Sequence, residues 1–273
     1  MICRKVMFAD GESQWLMISQ VEHARLSGFL AELCLDQFGD SVPDGEGQAL
    51  DAIRLELLQA IIHHDDGWLA WEEHSLVDGQ LQRPLSFDEV SAKDAFEIWT
   101  NSALAASQYG DLAAWIVASH FSAILATSEH HMSDPLAKSW MQATAEQRSH
   151  WFSSWHTGNE QVHSLMLAGE ALKWLQLFDI LSLWPCMAYP VAGEIVCEIP
   201  SAFQTAEDWI LVREIRPASA NCQGIVLETW PFQQASLSLQ ASALLAPDKD
   251  YKNSDELFTA CQPFTARWKL GSD

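Results

Sequence analysis

Residues 60–68 read Ala-Ile-Ile-His-His-Asp-Asp-Gly-Trp, which puts two imidazoles and two carboxylates side by side at the end of an apolar helical run. An ionised carboxylate is rarely buried unless it is paired or bound to a cation. Neutral imidazole and carboxylate are common ligands of Zn, Fe and Mn. A chain that folds this segment against a core must therefore bring it a counter-charge or a metal. The segment reads as half of a metal site, and the remaining ligands are expected from His or Asp residues on other helices.

Composition narrows the partners. The 273 residues carry 15 basic and 37 acidic side chains, a formal charge of −22, which repels nucleic acid and anionic membranes at long range. An apolar fraction of 48% supports a sizeable core. Cys3, Cys34, Cys186, Cys197, Cys222 and Cys261 are scattered with no C-x-x-C pair, and read as reduced thiols of a cytoplasmic protein. The first residues turn polar at once, so no signal peptide is expected. No apolar run reaches membrane-spanning length, since the longest, 175–187, carries Asp179 and Pro185. The expected partner is a small-molecule substrate.

The hydrophobic pattern divides the chain. Residues 2–19 read as a hairpin around Asp10-Gly11-Glu12. Helical periodicity predicts helices over 21–38, 48–64, 92–108, 112–128, 135–156 and 160–183, with a loop at 39–47 and a loop-rich stretch at 65–91. After Pro185 the texture turns to alternating runs, at 191–199, 209–213, 224–228 and 237–245, followed by a short helix at 254–261. A helical domain over 20–187 is expected, with a β-rich subdomain from 1–19 plus 188–273. All ten histidines fall between 23 and 163, so chemistry is expected in the helical part.

Three positions can complete the site: His23 on the first helix, His120 in Ala118-Ser119-His120-Phe121, and Asp179 in the most apolar helix of the chain. A lone carboxylate amid Leu175, Phe178 and Leu183 is costly unless compensated. Adjacent helical side chains diverge, so either His63 or His64 can be the ligand of the pair. Asp66, Ser119 and Ser182 are placed to orient imidazoles. Glu129-His130-His131 reads as solvated or capping, and His74 lies close enough to the pair to line the site mouth.

The order His23…His64-Asp65…Asp179, one element after another, resembles the HD-domain superfamily of metal-dependent hydrolases and oxygenases. More narrowly, Gln20/His23/Ala24/Leu26/Gly28, His63–Trp68, Ser119/His120, Leu175/Gln176/Asp179/Leu181/Ser182/Leu183 and Pro231/Phe232 resemble domain of unknown function 3891 over nearly the whole chain. The resemblance implies a mainly α fold, an HD-like helical bundle with a small β-rich subdomain made of the N-terminal hairpin and the C-terminal strands. It implies one or two divalent ions (Fe, Mn, Zn or Mg) on His23, His64, Asp65 and Asp179, with His120 and His63 as extra ligands.

Within that frame Asp65 and Asp66 are the catalytic carboxylates, and Trp68, Trp71 and Arg83 are the expected pocket wall. Hydrolysis of a small molecule, a phosphoester first, is the leading expectation. Against it, Trp68 stands where many phosphohydrolases of the superfamily have Lys, and fixed cations are few. Oxidation at a di-iron centre is the alternative, and a non-catalytic metal scaffold or sensor is the third.

Overall fold

A computed structural model describes residues 1–7, 11–35, 50–74, 76–127, 134–188, 197–200, 209–219, 222–227, 230 and 232–271. The expected loop at 39–47 and the Glu129-His130-His131 cluster lie outside them. Eight α-helices are present among the described residues: α1 Gln20–Leu35, α2 Arg54–His63, α3 Trp68–His74, α4 Ala92–Ala106, α5 Asp111–Ala126, α6 Pro135–Gly158, α7 Leu165–Ala188 and α8 Ser254–Ala260. Nine strands accompany them: β1 Ile2–Met7, β2 Ser13–Ile18, β3 Val77–Asp78, β4 Arg83–Pro84, β5 Cys197–Pro200, β6 Trp209–Ser219, β7 Cys222–Leu227, β8 Ser236–Pro247 and β9 Gln262–Gly271.

The fold is mixed α/β, which corrects the expectation of a mainly α, HD-like helical bundle. Seven strands form one sheet in the order β1-β2-β8-β9-β7-β6-β5, antiparallel except for the parallel pair β7–β9. This sheet is no small appendage. Ile2, Val6 and Leu16 of the hairpin and Leu237, Leu239 and Trp268 of β8 and β9 share one buried core with Leu30 of α1 and Leu175 and Phe178 of α7. The alternation along β8, whose inward side chains include Leu237, Leu239 and Ala241, turns one face of the sheet onto α1. Glu22 ties the two layers, its Oε1 accepting from the Ser242 N–H at 2.7 Å.

The helices enclose the site. α1 packs on α2 and α7, α5 packs on α2, α4, α6 and α7, and α4 also touches α3. Asp134 caps α6 by accepting from Leu136 N–H, with Pro135 in the first turn, and Ser91 caps α4 by accepting from Asp94 N–H. Two glycines allow close approach. A Cβ on Gly28 would strike the Ile62 side chain where α1 crosses α2, and one on Gly67 would strike the Ile98 carbonyl and Ser102 of α4. No helix among the described residues is long and apolar enough to cross a membrane.

Several elements depart from the sequence reading. Residues 65–91, expected as loop-rich, also contain α3 and the β3–β4 pair. Residues 262–271, not read as a strand, form β9, with Ala266, Trp268 and Leu270 buried between exposed Arg267 and Lys269. α7 also runs past the expected end at 183, and Pro185 sits in its last turn at the loss of one i→i−4 hydrogen bond.

Candidate metal centre

Four helices and one turn converge on a buried polar cluster. His23 comes from the first turn of α1, His64 caps the C-terminus of α2, and Asp65 follows in the turn before α3. His120 is in the middle of α5 and Asp179 in the middle of α7. All five are buried among apolar neighbours. One ligand atom each of His23, His64 and Asp65 lies within 4.8 Å of the others. His23 Nε2 is 2.7 Å from Asp65 Oδ2, and His64 Nε2 is 3.2 Å from Asp179 Oδ1 and 3.7 Å from Asp65 Oδ2. His120 Nε2 faces the other oxygen of Asp179 at 3.4 Å.

The far sides of two rings are tethered. His64 Nδ1 donates to the Ile61 carbonyl at 2.8 Å. That acceptor keeps a hydrogen on Nδ1 and aims Nε2 at the carboxylates. His23 Nδ1 is 3.0 Å from Ser182 Oγ, Ser182 Oγ is 2.6 Å from Ser27 Oγ, and Ser27 Oγ donates to the Phe178 carbonyl at 3.0 Å. Donation in one direction along this chain gives each hydroxyl an acceptor and aims His23 Nε2 at Asp65. His120 has no such tether, since its Nδ1 is buried without a hydrogen-bond partner among the described residues. Ser119, expected to orient an imidazole, instead meets Arg148 Nη1 at 3.4 Å.

The electrostatics follow from this crowding. Burial alone would suppress charge on His64, but the carboxylates of Asp65 and Asp179 outweigh it and push its pKa up to about 9. Burial opposes ionisation of Asp179 too, yet His64, with His120 and His23, holds its carboxyl well below the usual range. His120 is dominated by burial, which pushes it down to about 4. The donor set of imidazole nitrogens and carboxylate oxygens suits a divalent transition ion, and tethered imidazoles with untethered Nε2 atoms are what such a site requires.

Other expected residues fall elsewhere. His63 points away from the cluster: its Nδ1 meets Asp66 Oδ2 at 2.8 Å and its ring stacks on Tyr109 with centroids 4.3 Å apart. One residue of helix turns the side chain by about 100°, so His63 and His64 cannot both face inward. Asp66, expected as a catalytic carboxylate, pairs with His63 and does not line the cavity over the cluster. Arg83 is bound to Glu89 through both terminal nitrogens, at 2.5 and 2.8 Å, and lines a different cavity with Arg4 and Ser86. Trp71 lies behind Trp68, edge-on at 5.4 Å, and packs into a second core with Met17 and Tyr251.

Trp68 does line the cavity of about 100 Å³ above the cluster, together with Phe87, Trp99, Phe121, Leu183 and Gln20. Trp99, Phe121 and Gln20 were not singled out as pocket residues from sequence. Gln20 carried a signal, because it lies one helical turn before His23. It is buried, and its Oε1 has no hydrogen-bond partner among the described residues.

A family model described as "Protein of unknown function (DUF3891)" matches residues 6–246, and the chain belongs to that family. No curated protein and no solved structure matches it.

Proposed function

We propose that the chain is a metal-dependent hydrolase of a small molecule, using a His/Asp centre of the kind found in the HD-domain superfamily. One observation carries this reading. His23 and His64 spend their Nδ1 hydrogens on protein acceptors and aim their Nε2 atoms at carboxylate oxygens at 2.7 and 3.2 Å. Lone pairs facing lone pairs in a buried site repel unless a proton or a cation lies between them. His23, His64, Asp65 and Asp179 would hold one divalent ion (Fe, Mn, Zn or Mg), and His120 with the second Asp179 oxygen offers a further position. A bound ion supplies Lewis-acid polarisation of a substrate oxygen and a lowered pKa for water.

The chain's own groups set the substrate. Trp68, Trp99, Phe121 and Leu183 exclude water and offer an apolar wall, while Gln20 Oε1 is free to accept one hydrogen bond. No Lys or Arg lines the cavity among the described residues. A nucleotide or polyphosphate needs such cations. The cavity favours a compact substrate with one polar reacting group, a simple phosphomonoester or an ester, and an apolar body.

Oxidation at paired irons is the second reading, supported by the third imidazole, His120, and by the aromatic wall. The two separate when the protein is loaded with Mn, Zn, Mg or Fe and assayed against phosphomonoesters, carboxylic esters and amides, with O₂ uptake followed in parallel. Chelator-sensitive hydrolysis absent from Asp65→Ala is the expected result. Oxygen uptake by the iron form without hydrolysis would replace the hydrolase with the oxygenase.

A further inference from the structure

We propose that the substrate is a neutral carboxamide whose N–H donates to Gln20 while its carbonyl turns to the cluster, a substrate class that rests on the hydrolase reading. Gln20 opens α1, one helical turn before His23. Its backbone N–H donates to Glu72 Oε1 at 2.9 Å, and the other Glu72 oxygen accepts from Ser19 Oγ at 2.6 Å. α3 thus fixes the start of α1 through the main chain of Gln20. The side chain is left for the cavity of about 100 Å³ over the cluster, which it lines beside His23, Asp65 and Trp68.

That side chain is unsatisfied. Gln20 is 3% exposed, and its Oε1 is buried with no hydrogen-bond partner among the described residues. A buried amide oxygen without a donor is destabilising, and such an acceptor is accounted for when a ligand donates to it. Apart from the cluster and the indole N–H groups, Gln20 supplies the only polar side-chain atoms lining the cavity among the described residues. A single acceptor beside a centre that polarises a carbonyl calls for one compact group carrying both a donor and an electrophilic carbon. A carboxamide carries both on adjacent atoms.

Charge removes the anions. No Lys or Arg lines the cavity among the described residues, and Asp65 with Asp179 would already offset the charge of one divalent ion. Nothing there balances a carboxylate or a phosphate dianion. An ester has the carbonyl but no donor, so it would leave Gln20 Oε1 unpaired, the difference by which a polar pocket rejects an analogue. Trp68, Trp99, Phe121 and Leu183 suit an apolar acyl group. Hydrolysis adds water across the amide. The water oxygen bonds to the carbonyl carbon and the C–N bond breaks. One water proton goes to the leaving nitrogen and the other is released as the new acid ionises.

The test is saturation-transfer NMR and isothermal titration on the full chain with isobutyramide, methyl isobutyrate and N,N-dimethylisobutyramide. Chelated protein and protein reconstituted with Zn or Mg are compared, with metal content measured on the same samples. Isobutyramide is expected to bind at one site about tenfold or more tightly than the ester and the tertiary amide, which share its carbonyl and lack its N–H. Gln20→Leu is expected to bring the amide down to the ester. The bond to Glu72 is made by the main chain and survives that substitution, and the comparison of probes on the wild type needs no variant. Release of isobutyrate from the amide is expected with at least one of Zn, Mn, Mg and Fe. Equal affinity for amide and ester, no saturable amide binding, or an undiminished preference in Gln20→Leu would overturn the inference even in protein that binds metal. Amide preference with metal bound but no release of isobutyrate would overturn the amide as substrate. Amide preference in protein that binds no metal would support the Gln20 contact and overturn the hydrolase instead.

Discussion

His64 and Asp65 are buried in a cluster with three other ionisable groups, whereas His63 and Asp66, which flank them in sequence, form a half-buried pair that caps the same turn. Both pairs have a His–carboxylate distance expected of an ion pair, 3.7 Å for the inner and 2.8 Å for the outer. Their chemistry differs because α2 presents Leu57, Ala60 and Ile61 to the core, and His64 continues that stripe one turn on. The outer pair keeps water as an alternative partner. The inner pair has none, so its charge must be balanced by Asp179, His23 and His120 or by a metal. Identical residue types thus become a surface clasp or a candidate reaction centre according to one step of helical rotation.

The contrast breaks most completely at Asp179. Asp179→Ala removes the carboxylate that faces both His64 and His120, and is expected to cost metal-free stability about 3–5 kcal/mol, the usual penalty for breaking a buried pair. Denaturant titration of chelated protein reads it, and a loss under 1 kcal/mol would mean that the cluster is not electrostatically linked.

The pH profile sharpens the same contrast. His64, raised to about 9 from its ordinary 6.5, contributes stability that is full below pH 6.5 and is lost as pH rises through 9. His120, lowered to about 4, adds stability as pH rises from 4 to 6.5, because the unfolded chain binds that proton first. Metal-free protein should therefore be most stable near pH 6.5. Metal affinity should climb from there to pH 9 as the ion displaces the His64 proton. A metal affinity flat across that window would contradict the assignment of Nε2 as ligand.

Gly67→Ala tests the turn that separates the two pairs. Its Cβ would meet the backbone of Ile98 and Ser102, and overpacking against backbone is expected to cost about 1–3 kcal/mol in the same denaturation assay. Gly79→Ala, which meets nothing, is its control.

Ser182→Ala removes the group that orients His23, and should weaken metal binding by about tenfold to a hundredfold in competition titrations with a chromophoric chelator. The smallest effects belong to the outer pair. His63→Ala and Asp66→Asn should each change stability by less than about 1 kcal/mol, as partly exposed ion pairs do, and leave metal affinity as it was.

Much of the centre could be read from sequence because its residues violate their surroundings. His23, His120 and Asp179 are polar interruptions in apolar helical runs, and the structure brings all three to the His64–Asp65 step. The choice between His63 and His64 was not legible, since Leu58 and Ile62 broaden the apolar face of α2 and blur its rotation. The place of Arg83, away from the cluster, was not legible because its partner, Glu89, is fixed by a capping box with Ser86 at the 3₁₀ turn Phe87–Glu89.

The balance of helix and sheet was misjudged for a different reason. β9 alternates charged and apolar residues and opens on Gln262-Pro263, a weak local signal that becomes a strand through pairing with β8 and the distant β7. α3 is a single short helix whose start depends on the turn at Asp65 and on Gly67 docking to Ser102.

Metal content per chain, measured by plasma mass spectrometry on protein purified without a metal-affinity tag, tests the central claim most directly. The wild type, His63→Ala and Asp66→Asn should each carry at least one divalent ion per chain, as isolated or after reconstitution, and His64→Ala and Asp65→Ala should carry none while keeping their helical circular dichroism. Full occupancy in both inner variants, or none in the wild type after incubation with Fe, Mn, Zn and Mg, would contradict it and leave the cluster as a buried polar network with no metal.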